Sequence, residues 1–74
     1  MIAIADDAKP RWISRRQLLV IDRLSTGKPA KVVAADLKMT IHMVHNDVQN
    51  AIRALNAGNS AGLIGIAFRE GWIA

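Results

Sequence analysis

The sequence contains no cysteine and no tyrosine, and its only aromatic residues are two tryptophans and one phenylalanine. Without cysteine, disulfide bonds and thiolate metal sites are excluded. No apolar run approaches the roughly 18–20 residues needed to cross a bilayer, and the N-terminus lacks the basic start and apolar stretch of a secretory signal. We therefore expect one cytoplasmic domain with no membrane contact, near the lower size limit at which a single core folds unaided.

Acidic residues are also scarce, and the basic excess is unevenly distributed. The net charge is +4 and the pI is about 10.4. Residues 1–27 carry five Lys/Arg against three Asp, and residues 28–55 carry four against two, whereas residues 56–74 carry one charge of each sign. This asymmetry favours a polyanionic partner for the first three-quarters and protein contacts for the last quarter. Charges that only keep a small domain in solution are the alternative.

Capping signals divide the chain into helices. Ser14 and Gln17 have the spacing of a capping box, in which each side chain bonds a backbone amide near the helix start. Gly27 suits a left-handed helix exit, and Pro29 suits the first turn of a second helix. We therefore predict an all-α, four-helix domain formed by residues 13–74, after a flexible arm over residues 1–12. The predicted helices span about residues 14–26, 29–37, 41–55 and 60–70.

The fourth segment, AGLIGIAFREG, is the ambiguous one. Its alternation also fits a strand, and Gly62 and Gly65 each cost a helix roughly 1 kcal/mol. A helix is preferred because Asn59 or Ser60 can cap it and Gly71 can end it. The core is predicted to include Val20, Ile21, Leu24, Val33, Ala34 and Leu37, with Trp12 and Trp72 filling it.

A helical wheel separates an apolar stripe of the third helix from a polar face. At about 100° per residue, the stripe occupies a sector about 100° wide. The polar face holds no acid near its centre, because Asp47 lies at its border. Exposed Asn and His are poor helix formers, whereas an ordinary solvated face is rich in Glu and Lys. The stripe is Ile41, Val44, Val48, Ala51, Ile52 and Leu55; the opposite face is His42, Met43, Asn46, Gln49, Asn50 and Arg53, with His45 at the other border.

This polar face is chemically suited to DNA. Asn and Gln bond adenine through two hydrogen bonds, Arg binds guanine or phosphate, and Met contacts the thymine methyl group. A metal site is not expected, because His42 and His45 are the only histidines and a site needs at least a third ligand. No phosphate-binding glycine loop, paired carboxylates or activated nucleophile indicates an enzyme or a cofactor.

Residues 13–73 also match one family's sequence pattern without a gap. Two short helices, a tight turn at Lys38 and Met39, and a longer third helix have a helix-turn-helix layout, which holds one helix out for the major groove. The matching positions are Ile13, Ser14, Val20, Ile21, Leu24, Gly27, Ala30, Lys31, Val33, Ala34, Leu37, Met39, Thr40, Met43, Val44, Val48, Leu55, Arg69, Gly71, Trp72 and Ile73. With these positions filled, the chain resembles the LuxR/GerE-type helix-turn-helix family in its free-standing, GerE-like form.

Four positions depart from the family pattern. Gln17 and Val32 stand where the family has glutamates, Asp47 stands where it has a histidine, and Pro29 replaces a Ser/Thr helix cap. The family's target sequence therefore does not transfer to this chain.

The resemblance implies a sequence-specific transcription regulator that binds double-stranded DNA as a homodimer. The fourth helix would form the dimer interface. The resemblance also implies base contacts from His45, Asn46 and Gln49, to which the wheel adds His42 and Asn50. The implied phosphate contacts are Lys31, Thr40, Met43 through its backbone, and Arg53, with Lys28 included beside them. The predicted dimer interface is Ala61, Gly62, Gly65, Phe68 and Arg69.

The apolar fourth helix leaves a second interpretation open. A protein-interaction module, such as an anti-activator or co-regulator, would bind another transcription regulator or RNA polymerase through that helix. Gly62 and Gly65 would let a partner helix approach closely, which suits this role; internal packing on the first helix is the alternative. No small-molecule ligand is expected.

Overall fold

The computed structural model describes residues 4–74, which form four α-helices joined by short connections. The helices are α1 (Arg15–Ser25), α2 (Ala30–Leu37), α3 (Ile41–Leu55) and α4 (Ser60–Arg69). The predicted all-α fold is confirmed, including a helix for the ambiguous fourth segment, and each boundary lies within one residue of its predicted place. Within residues 4–74, no helix is long and apolar enough to cross a membrane.

The helix starts follow from side chains that bond free backbone amides. Ser14 Oγ accepts from Gln17 N at 3.0 Å, and Ser14 N donates to Gln17 Oε1 at 2.9 Å, so the predicted capping box is confirmed. Thr40 and Asn59 cap α3 and α4 by accepting from the third amide of each helix, at 3.0 and 2.8 Å. Pro29 lies one position earlier than predicted, as an extended N-cap residue (ψ 156°), and α2 has no side-chain cap.

The turn between α2 and α3 is three residues long, and Lys38 makes it possible. Lys38 adopts the left-handed conformation (φ 56°), which is uncommon for a residue with a side chain. Its N–H donates to the carbonyls of Ala34 and Ala35 in the last turn of α2, so α2 ends there and α3 begins three residues later. The predicted left-handed exits at Gly27 and Gly71 are also confirmed, with φ of 87° and 77°.

The core lies where the four helices meet. The predicted Val20, Ile21, Val33 and Ala34 are buried, while Leu24 and Leu37 are half-buried and pack against the core. The buried apolar residues are Ile13, Leu18, Val20, Ile21, Val33, Ala34, Val44, Val48, Ala51, Leu63, Ala67, Trp72 and Ile73.

Two predicted core residues are exposed instead. Trp12 is 50% exposed and Ile41 is 46% exposed, so both predictions are wrong, whereas Trp72 is buried as predicted. Ile13 is fully buried just after Trp12; the two residues lie in a turn, closed by the hydrogen bond from Ile13 N to Pro10 O at 3.1 Å, that buries Ile13 and leaves Trp12 outside. Ile41 is the first residue of α3, and the half-buried Met39 packs against the core just before it.

The N-terminal arm contacts the C-terminal end of the chain. Ile4 forms an isolated antiparallel bridge with Ile73, and Ala5 N donates to Trp72 O at 2.7 Å. Asp6 forms an ion pair with Arg15. The arm is therefore joined to the domain from Ile4 onward; its predicted flexibility stays a prediction, and residues 1–3 lie outside the described part.

Candidate nucleic-acid interface

Helix α3 has one buried side and one exposed polar side. Val44, Val48 and Ala51 face the core, as the wheel predicted, and Ile52 and Leu55 are half-buried. The structure brings all five predicted base-reading side chains to the exposed surface of this single helix: His42, His45, Asn46, Gln49 and Asn50. We call the exposed surface formed by His42, Asn46, Gln49, Asn50 and Arg53 the polar face of α3.

Neighbouring side chains on the polar face contact each other along the helix. Asn46 Nδ2 lies 3.3 Å from His42 Nε2, and it donates to that nitrogen when the nitrogen carries no proton. One helical turn later, Arg53 Nη2 donates to Asn50 Oδ1 at 2.6 Å. These bonds align the side chains without closing them off from a partner. Within residues 4–74, no group of three His, Asp or Glu side chains could hold a metal ion.

Asp47 is the only acid of α3, and the fold removes it from the polar face. Its side chain is 5% exposed and turns toward α1, where Arg16 binds both carboxylate oxygens. Arg16 Nε lies 2.8 Å from Asp47 Oδ2, and Arg16 Nη2 lies 2.8 Å from Asp47 Oδ1. This two-bond geometry is the strong form of an arginine–carboxylate pair. The side-chain hydrogen bond to Asp47 is the larger cause, and the attraction of its charge the smaller, of a raised pKa of Arg16.

Sequence reasoning placed Asp47 at the border of the face but assigned it no partner. Arg15 and Arg16 are adjacent and chemically identical, so nothing in the pattern separates them. The fold does so: Arg15 pairs with Asp6 of the arm, and Arg16 pairs with Asp47. Only the packing of α1 on α3 distinguishes the two arginines.

Two predicted phosphate contacts are already part of the α3 cap. The Met43 N–H, which was predicted to meet a phosphate, donates to Thr40 Oγ1 at 3.0 Å. The Thr40 hydroxyl keeps its own proton for a further bond, because a hydroxyl is one donor as well as an acceptor. Thr40 is exposed and Met43 is half-buried. The side chain of Thr40, rather than the backbone of Met43, is the accessible donor here.

The predicted phosphate-binding cations differ in what neutralises them. Lys28 Nζ lies 3.0 Å from Asp36 Oδ2, an exposed pair on α2 and the loop before it. Lys31 and Arg53 are exposed, and no carboxylate within residues 4–74 forms an ion pair with either. Surface pairs such as the one at Lys28 contribute little and exchange readily, so Lys28 stays accessible to a stronger anion.

A groove of about 430 Å³ runs beside the polar face, between α3 and the start of α4. Its walls combine buried and half-buried apolar side chains of α1, α2 and α3 with the polar ends of His45 and Gln49. His45 therefore lies at the edge of the polar face, as the wheel predicted. The absence of a small-molecule ligand stays a prediction. The groove is lined by Leu24, Ala30, Val44, His45, Val48, Gln49, Ile52, Gly58, Asn59 and Ser60.

Helix α4 has an exposed surface of a different kind. Ala61, Gly65, Phe68 and Arg69 are exposed and follow helical spacing along one side, which we call the α4 stripe. Phe68 is 46% exposed, and a side-chain carbon added at Gly65 would meet nothing within 4 Å. These four predicted dimer residues therefore share one open surface.

Gly62, the fifth predicted dimer residue, has a role inside the chain. It is half-buried, and a Cβ at this position would lie 2.3 Å from the Ala57 carbonyl oxygen. That distance is far inside any allowed contact, so the loop before α4 needs a glycine here. Internal packing, which the sequence left open as an alternative, accounts for Gly62, although the contact is with this loop and not with α1.

Comparison with family models finds no match, and comparisons with curated proteins and with solved structures find none either. The LuxR/GerE resemblance thus stays a prediction.

Proposed function

We propose that this protein is a sequence-specific DNA-binding transcription regulator of the LuxR/GerE type. Helix α3 enters the major groove and its polar face reads base edges. Lys31, Thr40 and Arg53 contact phosphates on either side. The protein acts in the cytoplasm as a homodimer through the α4 stripe, and it is not an enzyme.

The burial of Asp47 is the observation that carries this proposal. A carboxylate on the surface of α3 would repel the phosphates that line a major groove. The only acid of the helix is instead paired with Arg16 on the side toward α1. What remains exposed is a row of His, Asn and Gln side chains with one arginine, the groups that form specific base-edge contacts.

The connection between α2 and α3 supports the same proposal. The three-residue turn at Lys38–Thr40 lets α3 project its polar face while α2 stays packed behind it. α3 is 15 residues long, which corresponds to about 22 Å and is enough to cross a groove about 12 Å wide. In this arrangement the basic residues near the start of α2, Lys28 and Lys31, lie close to the edge of the DNA major groove.

In vitro selection from a random duplex library, followed by anisotropy titrations on the selected site, tests this function. Arg53→Ala should weaken binding to every duplex and reduce the salt slope by about 0.9, the value for one lost phosphate contact. Asn46→Ala or Gln49→Ala should instead relax the preference at one base position, at ~1–3 kcal/mol per lost two-bond contact.

Arg11→Ala is the matched control. Arg11 is exposed and lies on the arm, so the variant loses the same charge without changing the polar face. If Arg11→Ala and Arg53→Ala weaken binding equally, the binding is non-specific charge attraction. If no sequence is enriched and no duplex binds, the proposed function is wrong.

The exposed Phe68 favours one alternative, a module that binds another regulator or RNA polymerase through the α4 stripe. In that case a purified partner would bind the wild-type protein and not Phe68→Glu, and the free protein would bind no duplex. DNA binding by the free protein that survives Phe68→Glu at high protein concentration decides against this alternative.

A further inference from the structure

Arg16 has no role in the polar face as defined above, yet it is tied directly to α3. Arg16 has five N–H donors, and two of them, on Nε and Nη2, donate to Asp47. Within residues 4–74 no other acceptor takes the remaining three, and the side chain is 53% exposed. The carboxylate end of the pair is closed to solvent, whereas the guanidinium end is open.

The pair lies on one flank of α3 and the groove lies on the other. His45 and Asp47 are two residues apart, which places their side chains roughly 160° apart around the helix axis. His45 lines the groove together with Ala30 at the start of α2. Lys31 is the next residue of α2 and is exposed. Arg16 is on the opposite side of α3, in the first turn of α1.

A helix in the major groove has a phosphate backbone on each side, and proteins fix its register by contacting both. Lys31, exposed at the start of α2, is the cation that we assign to the side of the groove. On the Asp47 side, the exposed guanidinium next to α3 is that of Arg16. Its direction is fixed by a buried carboxylate, so a phosphate would meet an arginine that is already oriented and loses little side-chain freedom on binding.

We propose that Arg16 is a DNA phosphate contact and that Asp47 is the positioning residue that aims it, so that α3 is fixed between the two backbones from both flanks. This inference rests on the proposed DNA-binding function. It also explains the acid in α3: on the polar face the Asp47 carboxylate would repel DNA, whereas in its buried position it orients the Arg16 guanidinium.

Arg15→Gln and Arg16→Gln form a matched pair for testing this. Both residues lie in the first turn of α1, their side chains are 50% and 53% exposed, and each variant loses one positive charge. The probe is a mixed-sequence duplex, titrated by anisotropy from about 50 to 200 mM salt. Arg16→Gln should reduce the salt slope by about 0.9 and weaken binding roughly eightfold near 0.1 M salt, and Arg15→Gln should leave the slope unchanged.

The double variant Arg16→Gln/Asp47→Asn separates a DNA contact from a structural ion pair. It removes one charge of each sign, so the net charge stays at the wild-type +4, and an amide–amide pair replaces the ion pair. Thermal denaturation monitored by circular dichroism checks that it folds. The reduced salt slope should persist in this folded double variant, because the phosphate-binding cation is still absent.

Four results would overturn the inference. Equal slopes for Arg15→Gln and Arg16→Gln would make the effect one of overall charge. A wild-type slope in the double variant would make the pair purely structural. If Arg53→Ala lowers the slope and Arg16→Gln does not, this inference fails while the proposed function stands; if the wild-type protein binds no duplex, both fail.

Discussion

The outward surfaces of α3 and α4 are built from opposite chemistry on helices that pack against each other. The polar face of α3 holds His42, Asn46, Gln49, Asn50 and Arg53, and its one acid is buried at the side. The α4 stripe consists of Ala61, Gly65, Phe68 and Arg69, and only Arg69 can form strong hydrogen bonds. One domain therefore presents a surface of donors and acceptors next to a surface that is mostly apolar.

The two surfaces differ in what a partner must supply. Polar side chains give up water only to a partner that returns their hydrogen bonds, because an unsatisfied buried polar group costs about 1–3 kcal/mol. An apolar surface gains about 25 cal/mol per Å² covered, whatever the chemistry of the covering group. The polar face thus suits a partner with complementary donors and acceptors, as proposed for DNA, and the α4 stripe suits an apolar partner surface, as proposed for the homodimer.

Substitution of the two α4 glycines has the largest expected effect and sharpens the boundary of the stripe. At Gly62 an added Cβ would lie 2.3 Å from the Ala57 carbonyl oxygen, so the loop must shift, and overpacking of this kind costs about 1–3 kcal/mol. At Gly65 there is open space, and alanine should stabilise the helix by about 1 kcal/mol. Urea denaturation of both alanine variants measures the difference.

Dimerisation adds a second readout to this pair. If two α4 stripes pack closely, Gly65→Ala should weaken the dimer in sedimentation equilibrium even though it stabilises the monomer. Equal loss of stability in the two variants would mean that Gly65 is also enclosed, and the stripe would then have to be redrawn.

The elements were predictable from the sequence because their signals are local. Ser14, Thr40 and Asn59 cap helices through atoms three residues away, and a pattern over a few residues is enough to identify them. The Asp47–Arg16 pair joins residues 31 apart, so it depends on how α1 packs on α3. Gly62 is similar: the sequence showed a glycine, but only the loop geometry shows which contact requires it.

The sequence also failed to predict which apolar residues are exposed at the ends of helices. The wheel placed Ile41 in the core stripe because it considers direction around the helix and not position along it. Ile41 points along the stripe but lies at the first position of α3, where Met39 already packs against the core. Its 46% exposure adds an apolar side chain to the exposed surface at the N-terminal end of α3.

The helix caps should give an intermediate effect that separates the two surfaces. Thr40→Ala and Asn59→Ala each remove one side-chain bond to a backbone amide, at 3.0 and 2.8 Å, and each should cost about 1 kcal/mol in thermal denaturation. Only Thr40→Ala should also weaken duplex binding, because the hydroxyl of the exposed Thr40 is one of the proposed phosphate contacts.

Thr40→Ser serves as the control, since it keeps the hydroxyl and should restore both stability and binding. A loss of DNA affinity that is the same for Asn59→Ala would show that the effect comes from general destabilisation and not from a contact at Thr40.

The smallest effect on stability is expected from two exposed apolar residues, one in the α4 stripe and one at the start of α3. Phe68 and Ile41 are both 46% exposed, so Phe68→Glu and Ile41→Glu should each change the free energy of unfolding of the monomer by no more than about 0.5 kcal/mol.

The effects of these two variants on self-association and on DNA binding should differ. Phe68→Glu places a carboxylate in the α4 stripe and should shift sedimentation equilibrium to the monomer mass, whereas Ile41→Glu should leave the mass unchanged. Ile41→Glu places a carboxylate at the N-terminal end of α3, beside the proposed DNA contacts, and should weaken duplex binding most at low salt, where phosphate repulsion is least screened. Phe68→Gln and Ile41→Gln are the uncharged controls: if Ile41→Gln weakens binding as much as Ile41→Glu, the loss comes from the missing apolar contact and not from charge. Should both glutamate variants keep the wild-type mass and DNA affinity, neither surface has the partner that its chemistry indicates.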